Sequence, residues 1–426
     1  MSTVHRMSRR HFLGLALAGT AGVILMGCKP KGTGPKPAVK PADSISYWND
    51  YGGTNGVVMD DLLAKFTAET GIKIEQQRMG NQDLNAKLRI TNQSGENPDV
   101  AMLLTFAIPS IARDGILDEL DEGTLGERGF KKEDYSEVAW NASLYEGKRY
   151  YVPLDAVMNV MFLNHELFKK HGFMDGDSPK VPKTRQEVFQ YCQAFIKDPE
   201  TYGIDHMGAG GYFGFEELLW QNETNVFTSD FKKSRLAETA AIECAEYWAQ
   251  IAAKEKYAPP IGVDSLKAFQ AGKLGIWITG SWNITGLTEA KVAYTVAHVP
   301  NLFKKAKVWA IVHNYTLPKQ GKKDDSKREA AWQMIKWFMG HADDWTLRGG
   351  VLAALKKVQA DSRVQADPGL KVMAASAPDW QFSQPTPKWA DWESKASPVL
   401  EAIWSGKTAP KEAMEGLAKE VDAITD

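Results

Sequence analysis

Residues 44–104 read SISYWNDYGGTNGVVMDDLLAKFTAETGIKIEQQRMGNQDLNAKLRITNQSGENPDVAMLL, and two periods take turns along them. Ser44 to Trp48 alternates every second residue, as a strand with one buried face does. Val57, Leu62, Leu63 and Phe66 then recur at helical spacing, and Gly71 stands where a helix ends in a left-handed residue. Ile72-Lys73-Ile74 alternates again, Leu84 and Leu88 mark a second helix ending near Gly95, and Asp99 to Leu104 is a continuous apolar strand. The order β-α-β-α-β predicts an α/β fold, with a parallel sheet flanked by helices.

Downstream the rhythm continues. Thr184-x-x-Glu187 and Ser326-x-x-Glu329 have capping-box spacing, each ahead of an apolar stripe, at Val188 to Ile196 and at Trp332 to Phe338. Leu274 to Thr279 and Val292 to Val299 read as strands. Upstream the pattern stops. The first 42 residues hold seven Lys or Arg and no Asp or Glu, so the rest of the chain is more acidic than the formal net charge of −2 shows. Ser8-Arg9-Arg10-His11-Phe12-Leu13 leads into an apolar run that ends at Cys28. That run is too short to cross ~30 Å of hydrocarbon, and Gly14, Gly19 and Gly22 dilute it. It resembles a twin-arginine export signal, and Leu25-Met26-Gly27-Cys28 resembles a lipoprotein cleavage site. The likeness implies a signal peptide over residues 1–27 and lipidation of Cys28, whose two acyl chains would be the only contact with a membrane. Residues 28–42, rich in Pro, Gly and Lys, are expected to form a flexible tether.

Composition excludes several classes. With 426 residues, 24% charged and 43% hydrophobic, the chain can bury sizeable cores in two or three domains, and it has no basic excess for nucleic acid. Cys192 and Cys244 lie in helical patterns and read as buried free thiols. Fourteen Trp are a surplus. Indoles in that number call for aromatic cores or for a surface that holds something flat and partly apolar.

No catalytic spacing stands out. His165-Glu166 is followed by His171, six residues from the first imidazole instead of the four that put both on one helix face, so no metal site is expected. Gly406-Lys407-Thr408 lacks the glycine of a phosphate loop, which is Glu401 here, and Gly280-Ser281-Trp282 lacks the second glycine of a nucleophile elbow. Neither an enzyme activity nor a cofactor is expected.

A series of segments in fixed order resembles one family: FTAETGIKIE (66–75), SGENPDV (94–100), DGILDELD (114–121), YEGKRYYVPLDAVMNVMFLNHELFKKHG (145–172), PKTRQEV (182–188), AFQAGKLGIWITGSWN (268–283) and LPKQGKKDDSKREAAWQMIKWFM (317–339). They are similar to the extracellular solute-binding proteins of ABC importers, in the carbohydrate-binding group that includes maltose-binding protein. The resemblance runs from about Ile45 to Ile403. It implies a two-lobed fold of the periplasmic-binding type, each lobe a mainly parallel sheet flanked by helices, with a ligand cleft between them. Lobe one would take residues 43–153 and 306–341, and lobe two residues 154–305 and 342–426, with hinges at Tyr151 to Asp155 and Lys304 to Trp309. The implied function is capture of a mono- or oligosaccharide outside the cytoplasmic membrane by hinge closure, as a monomer, and delivery to the permease subunits of an ABC transporter. The same fold could take a polyamine, a polyol phosphate or a peptide-like solute, and an exported hydrolase is a more distant reading. The Trp surplus favours sugar.

A pyranose has apolar C–H faces and a rim of hydroxyls, so its site stacks rings and surrounds them with amides and carboxylates. Parallel α/β sheets hold ligands beyond the C-terminal ends of their strands. That rule selects Trp48, Asn49, Asp50 and Tyr51 after the first strand, Asn81 and Gln82 after the second, and Thr105 and Phe106 after the third. From the other lobe come Asp155, Tyr212, Trp220 and, after GIWIT, Trp282 and Asn283. His313 and Asn314 belong to a bulky stretch, Trp309 to Tyr315, where relatives have a glycine-rich turn, and Arg348 and Gly350 lie where a relative's glycine-rich loop would be. Trp48, Trp220 and Trp282 are the stacking candidates, with Trp309 and Trp345 as further company.

Overall fold

A computed structural model describes residues 39–424. The export signal, Cys28 and most of the tether lie outside the described residues. Contacts gather the chain from Lys40 onward into one compact unit.

The opening stretch folds as its periods dictate. Strand β1 (Ser44–Asn49), helix α1 (Gly53–Thr70), β2 (Lys73–Arg78), α2 (Asn81–Ser94) and β3 (Val100–Leu104) follow in order. Gly71 and Gly95 close α1 and α2 in the left-handed conformation, at φ 77° and 74°. Val57 departs from the expected stripe: it is exposed, while Val58, Met59, Leu62, Leu63 and Phe66 form the buried face. Next come β4 (Tyr151–Asn164), α3 (Arg185–Phe195), β5 (Tyr202–His206), α4 (Tyr212–Gln221), α5 (Thr239–Ala249), α6 (Ser265–Gln270), β6 (Leu274–Gly280), α7 (Asn283–Glu289), β7 (Tyr294–Ala297) and β8 (Val308–Thr316). Helices α8 (Asp325–Gly340) and α9 (Ala342–Gly349), short strands β9 (Leu352–Ala353) and β10 (Trp380–Gln381), and helices α10 (Trp389–Trp404) and α11 (Pro410–Asp422) complete the elements used below.

Thr184 caps α3 in a full capping box with Glu187. At α8 the cap is Asp324, two residues before the expected Ser326. Its carboxylate accepts from the Ser326 and Lys327 amides, and Glu329 pairs instead with Arg128 at 2.5 Å. The strand expected over Val292 to Val299 is confined to Tyr294–Ala297. Cys192 and Cys244 are buried free thiols, and burial pushes both well above the ordinary thiol range.

These ten strands join one sheet, ordered β2-β1-β3-β8-β4-β6-β5, with β7 and β9 also on β4 and β10 on β8, and Met174–Asp175 pairs with Ser178–Pro179 in a separate small ribbon. The outer pairs β1–β2, β1–β3 and β5–β6 are parallel, as expected. The central pairs β3–β8, β8–β4 and β4–β6 are antiparallel, because the two long strands that link the halves run in opposite directions. Strand β4 is buried along all 14 residues. From Tyr151 to Met158 it pairs with β8, and from Asn159 to Leu163 with β6.

The C-terminal segment is divided. Helix α9 packs on α1, and Leu355 bridges to Tyr135. Helices α10 and α11 pack on α5 in the second half. The apolar stripe of α9, with Ala342, Trp345 and Thr346 buried, explains why it docks on a neighbouring helix instead of extending away.

Candidate ligand-binding cleft

Period-2 alternation along the central strands builds a floor. On β8 the side chains of Trp309, Ile311 and His313 share one face, Val157 of β4 lies opposite Ile311, and Leu104 of β3 lies opposite His313. Above this tile is a cavity of about 510 Å³. One wall is the loop before α1 and its first turn, Asp50 to Asn55; the other is Phe213 at the start of α4, Leu266 and Gln270 on α6, and Trp282, Asn283 and Gly286 at the start of α7. The size suits a small organic ligand.

Rings dominate the lining. Phe213 lies 4.1 Å from Trp309, and Trp282 stands edge-on to Trp309 at 6.4 Å between centroids. Trp282 is the one Trp among the exposed large hydrophobic side chains, at 38% exposure, whereas Trp309 is buried in the floor. Gly280 makes room for it: a Cβ there would lie 2.0 Å from the Trp282 indole. Gly280→Ala should therefore displace the indole and weaken solute binding about as much as Trp282→Ala. Titrations of both variants and of the double variant check this, with the double no worse than the worse single one.

The polar end of the cavity is organised from beneath. Asp155, fully buried on β4, accepts from His313 Nδ1 at 2.6 Å and from the Trp345 indole N–H at 2.6 Å. Tyr51 sits edge-on to both rings, 5.0 Å from His313 and 5.1 Å from Trp345. Burial opposes charge on His313, but the carboxylates of Asp155 and then Asp50 outweigh it and hold the imidazole above its ordinary 6.5. Burial raises the Asp50 carboxyl, with His313 partly offsetting it. Both raised groups contribute stability that is complete below their unfolded pKa and is lost as pH rises through the folded value. Denaturant unfolding of the wild type minus that of His313→Gln should thus fall as pH rises from 6 to 8; a flat difference would refute the assignment.

At the rim the two walls touch lightly. Thr54 Oγ1 donates to Glu289 at 3.4 Å, and Gln82 Nε2 donates to Glu393 at 3.3 Å, both exposed. Phe106 at the end of β3 stacks on Trp389 of α10 at 3.7 Å.

Of the residues singled out from the sequence, Asp50, Tyr51, Trp282, Asn283 and His313 line the cavity and Asp155 lies directly under it. Phe106 and Tyr212 stand just behind, Phe106 5.9 Å from Phe213 and Tyr212 donating to Glu393 at 2.6 Å. The others lie elsewhere. Trp48 points to the opposite face of β1, into a second apolar cluster with Leu84 and Leu88, with the Lys87 ammonium 4.5 Å over its ring. Asn49 is buried on the other face. Thr105 and Asn314 lock neighbouring backbone, Thr105 at Val312 and Asn314 at Val312 and Leu103. Asn81 accepts from Asn85 within α2, and Trp220 is buried against Asn225 at 2.7 Å. Arg348 is on the surface, paired with Asp61 at 2.6 Å, and Gly350 is the left-handed cap of α9, where a Cβ would meet Thr285 Oγ1 at 2.5 Å. Sequence reasoning passed over Leu104, Val157, Phe213, Leu266, Gln270 and Ile311. Ile311 at least carried a signal, the alternation Trp309, Ile311, His313.

The chain is 23% identical, over 95% of its length and 94% of theirs, to the galactooligosaccharide-binding protein of Bacillus subtilis. It is 28% identical, over 72% of its own length and 74% of the other's, to a maltooligosaccharide ABC transporter solute-binding lipoprotein of Streptococcus pneumoniae. Among solved structures it resembles an ABC substrate-binding protein of Listeria monocytogenes in complex with cycloalternan, with a TM-score of 0.78 at 18% identity over 89% of this chain and 98% of that one. Residues 61–372 match the family described as bacterial extracellular solute-binding protein, and the chain belongs to that family.

Proposed function

We propose that the chain captures an uncharged carbohydrate in this cleft outside the cytoplasmic membrane and hands it to the permease of an ABC transporter. The observation that carries this reading is the lining: Tyr51, Phe213, Trp282 and Trp309 supply rings, Asp50, Asn55, Gln270, Asn283 and His313 supply donors and acceptors, and no Lys or Arg is among the cavity residues. A polyamine would need several converging carboxylates and a phosphate would need cations. Here one carboxylate, Asp50, is answered by one imidazole, His313. The relatives named above as oligosaccharide-binding support the same class.

In this reading the lobes are residues 43–158 with 309 to about 366, and residues 159–308 with about 367–424. Trp282 and Phe213 face Asp50, Tyr51 and His313 across the hinge. The exposed rim contacts of Thr54 and Gln82 are weak enough to break on opening. A ligand touching both walls binds the closed arrangement better and so draws the lobes together. The protein works as a monomer held by lipidated Cys28, with residues 28–42 as its reach. Small-angle scattering of the exported chain tests the closure: a fitting sugar should reduce the radius of gyration, and an unchanged profile with a sugar that binds by calorimetry would refute hinge capture.

A further inference from the structure

The floor of the cavity is more apolar than a sugar hydroxylated on every side requires. A pyranose offers its C–H faces to one or two aromatic platforms, and the rings of Tyr51, Trp282, Trp309 and Phe213 already supply these. In addition, four branched aliphatic side chains, Leu104, Val157, Leu266 and Ile311, line the same space. A hydroxyl turned toward any of them would lose its water and gain no partner.

The charged pair of the lining, Asp50 and His313, also stands at one end of the floor. Register places His313, Ile311 and Trp309 two residues apart in succession, a run of roughly 13 Å at strand spacing. At one end Asp50 stands near His313, and Leu104 lies opposite that imidazole. Toward the other end come Val157 opposite Ile311 and Phe213 on Trp309 at 4.1 Å. The facing wall there offers Gln270 and Asn283, and Asn283 already donates to the Gly280 carbonyl at 3.1 Å.

Resting on the carbohydrate reading, we infer that the ligand is an amphiphilic glycoside: a sugar unit held at the Asp50–His313 end and an apolar aglycone lying over Ile311, Val157, Phe213 and Trp309. The Asp50–His313 pair would then meet the sugar hydroxyls and the aliphatic side chains the aglycone.

Calorimetric titration of the exported chain with matched pairs tests this, the probes being maltose, cellobiose, galactobiose and diacetylchitobiose, each beside its phenyl glycoside. The expected result is that at least one phenyl glycoside binds tenfold or more tightly than its parent sugar. Ile311→Thr should remove most of that gain, bringing the affinity of the phenyl glycoside close to that of its parent sugar measured on the same variant. Leu266→Gln, on the half-exposed rim, repeats the test where a folding defect is not expected. Binding of a parent sugar with no gain from the phenyl group would overturn the inference and leave the carbohydrate reading standing. A gain that survives both substitutions would also overturn it. Binding of none of the eight compounds would overturn both.

Discussion

Asp155→Ala is expected to destabilise the protein by about 3–5 kcal/mol, the usual consequence of removing one partner from a buried ion pair. The carboxylate is wholly enclosed, and both its oxygens are engaged, one by His313 and one by the Trp345 indole. Ala would leave an imidazole with a raised proton affinity beside no counter-charge and an indole N–H without an acceptor. Two separate chain segments meet at this carboxylate, since Asp155 also lies in register with His313 on β8 and with Ala353 on β9. The loss would be a large part of the ~5–15 kcal/mol that holds a typical domain. Denaturant unfolding checks it. Asp155→Asn, which keeps an acceptor for Trp345, should cost less than Ala; equal losses, or a loss under 1 kcal/mol from Ala, would show that the network does not organise the floor.

Trp282→Ala should separate binding from folding. The indole is 38% exposed at the mouth of the cleft, so removing it takes little from the core. A ligand that covers on the order of 80 Å² of the ring gains about 2 kcal/mol at ~25 cal/mol per Å², so the dissociation constant should rise roughly thirtyfold while unfolding stays within ~1 kcal/mol of the wild type. Trp309→Ala should behave differently. That ring is buried between Phe213 and the strand, and its loss should lower stability by about 3–5 kcal/mol as well as binding. Titration beside unfolding distinguishes the two. A Trp282→Ala protein that binds as tightly as the wild type would remove the indole from the site.

The fold was legible where local signals and packing agree. The opening β-α-β-α-β, the glycine caps at Gly71 and Gly95 and the box at Thr184 were all read from spacing alone. Reading failed where two local signals competed. Asp324 and Ser326 both offer a cap at the start of α8, and Arg128, distant in sequence, draws away the glutamate that a box at Ser326 would need. The partner of α9 could not be read either, because an amphipathic helix shows that it has a buried face but not which element covers it.

For the cleft, the strand-end rule selected Asp50 and Tyr51, and the turn after GIWIT selected Trp282, and all three line the cavity. It failed at Trp48 by one residue of alternation, which sends the ring to the α2 side of the sheet. Arg348 and Trp220 have the right chemistry, but nearby partners, Asp61 and Asn225, take their polar groups. The aliphatic floor was hidden for another reason. Leu104, Val157 and Ile311 look like core in sequence, and only the register of three strands drawn from distant segments sets them side by side facing open space.

The most direct test of the account is calorimetric titration of wild type and Trp282→Ala side by side against one panel of neutral sugars and their phenyl glycosides. The account predicts that some member binds the wild type, and that the variant, folded and equally stable, binds it roughly thirtyfold more weakly. No binding across the panel, or equal binding by both proteins, would contradict it.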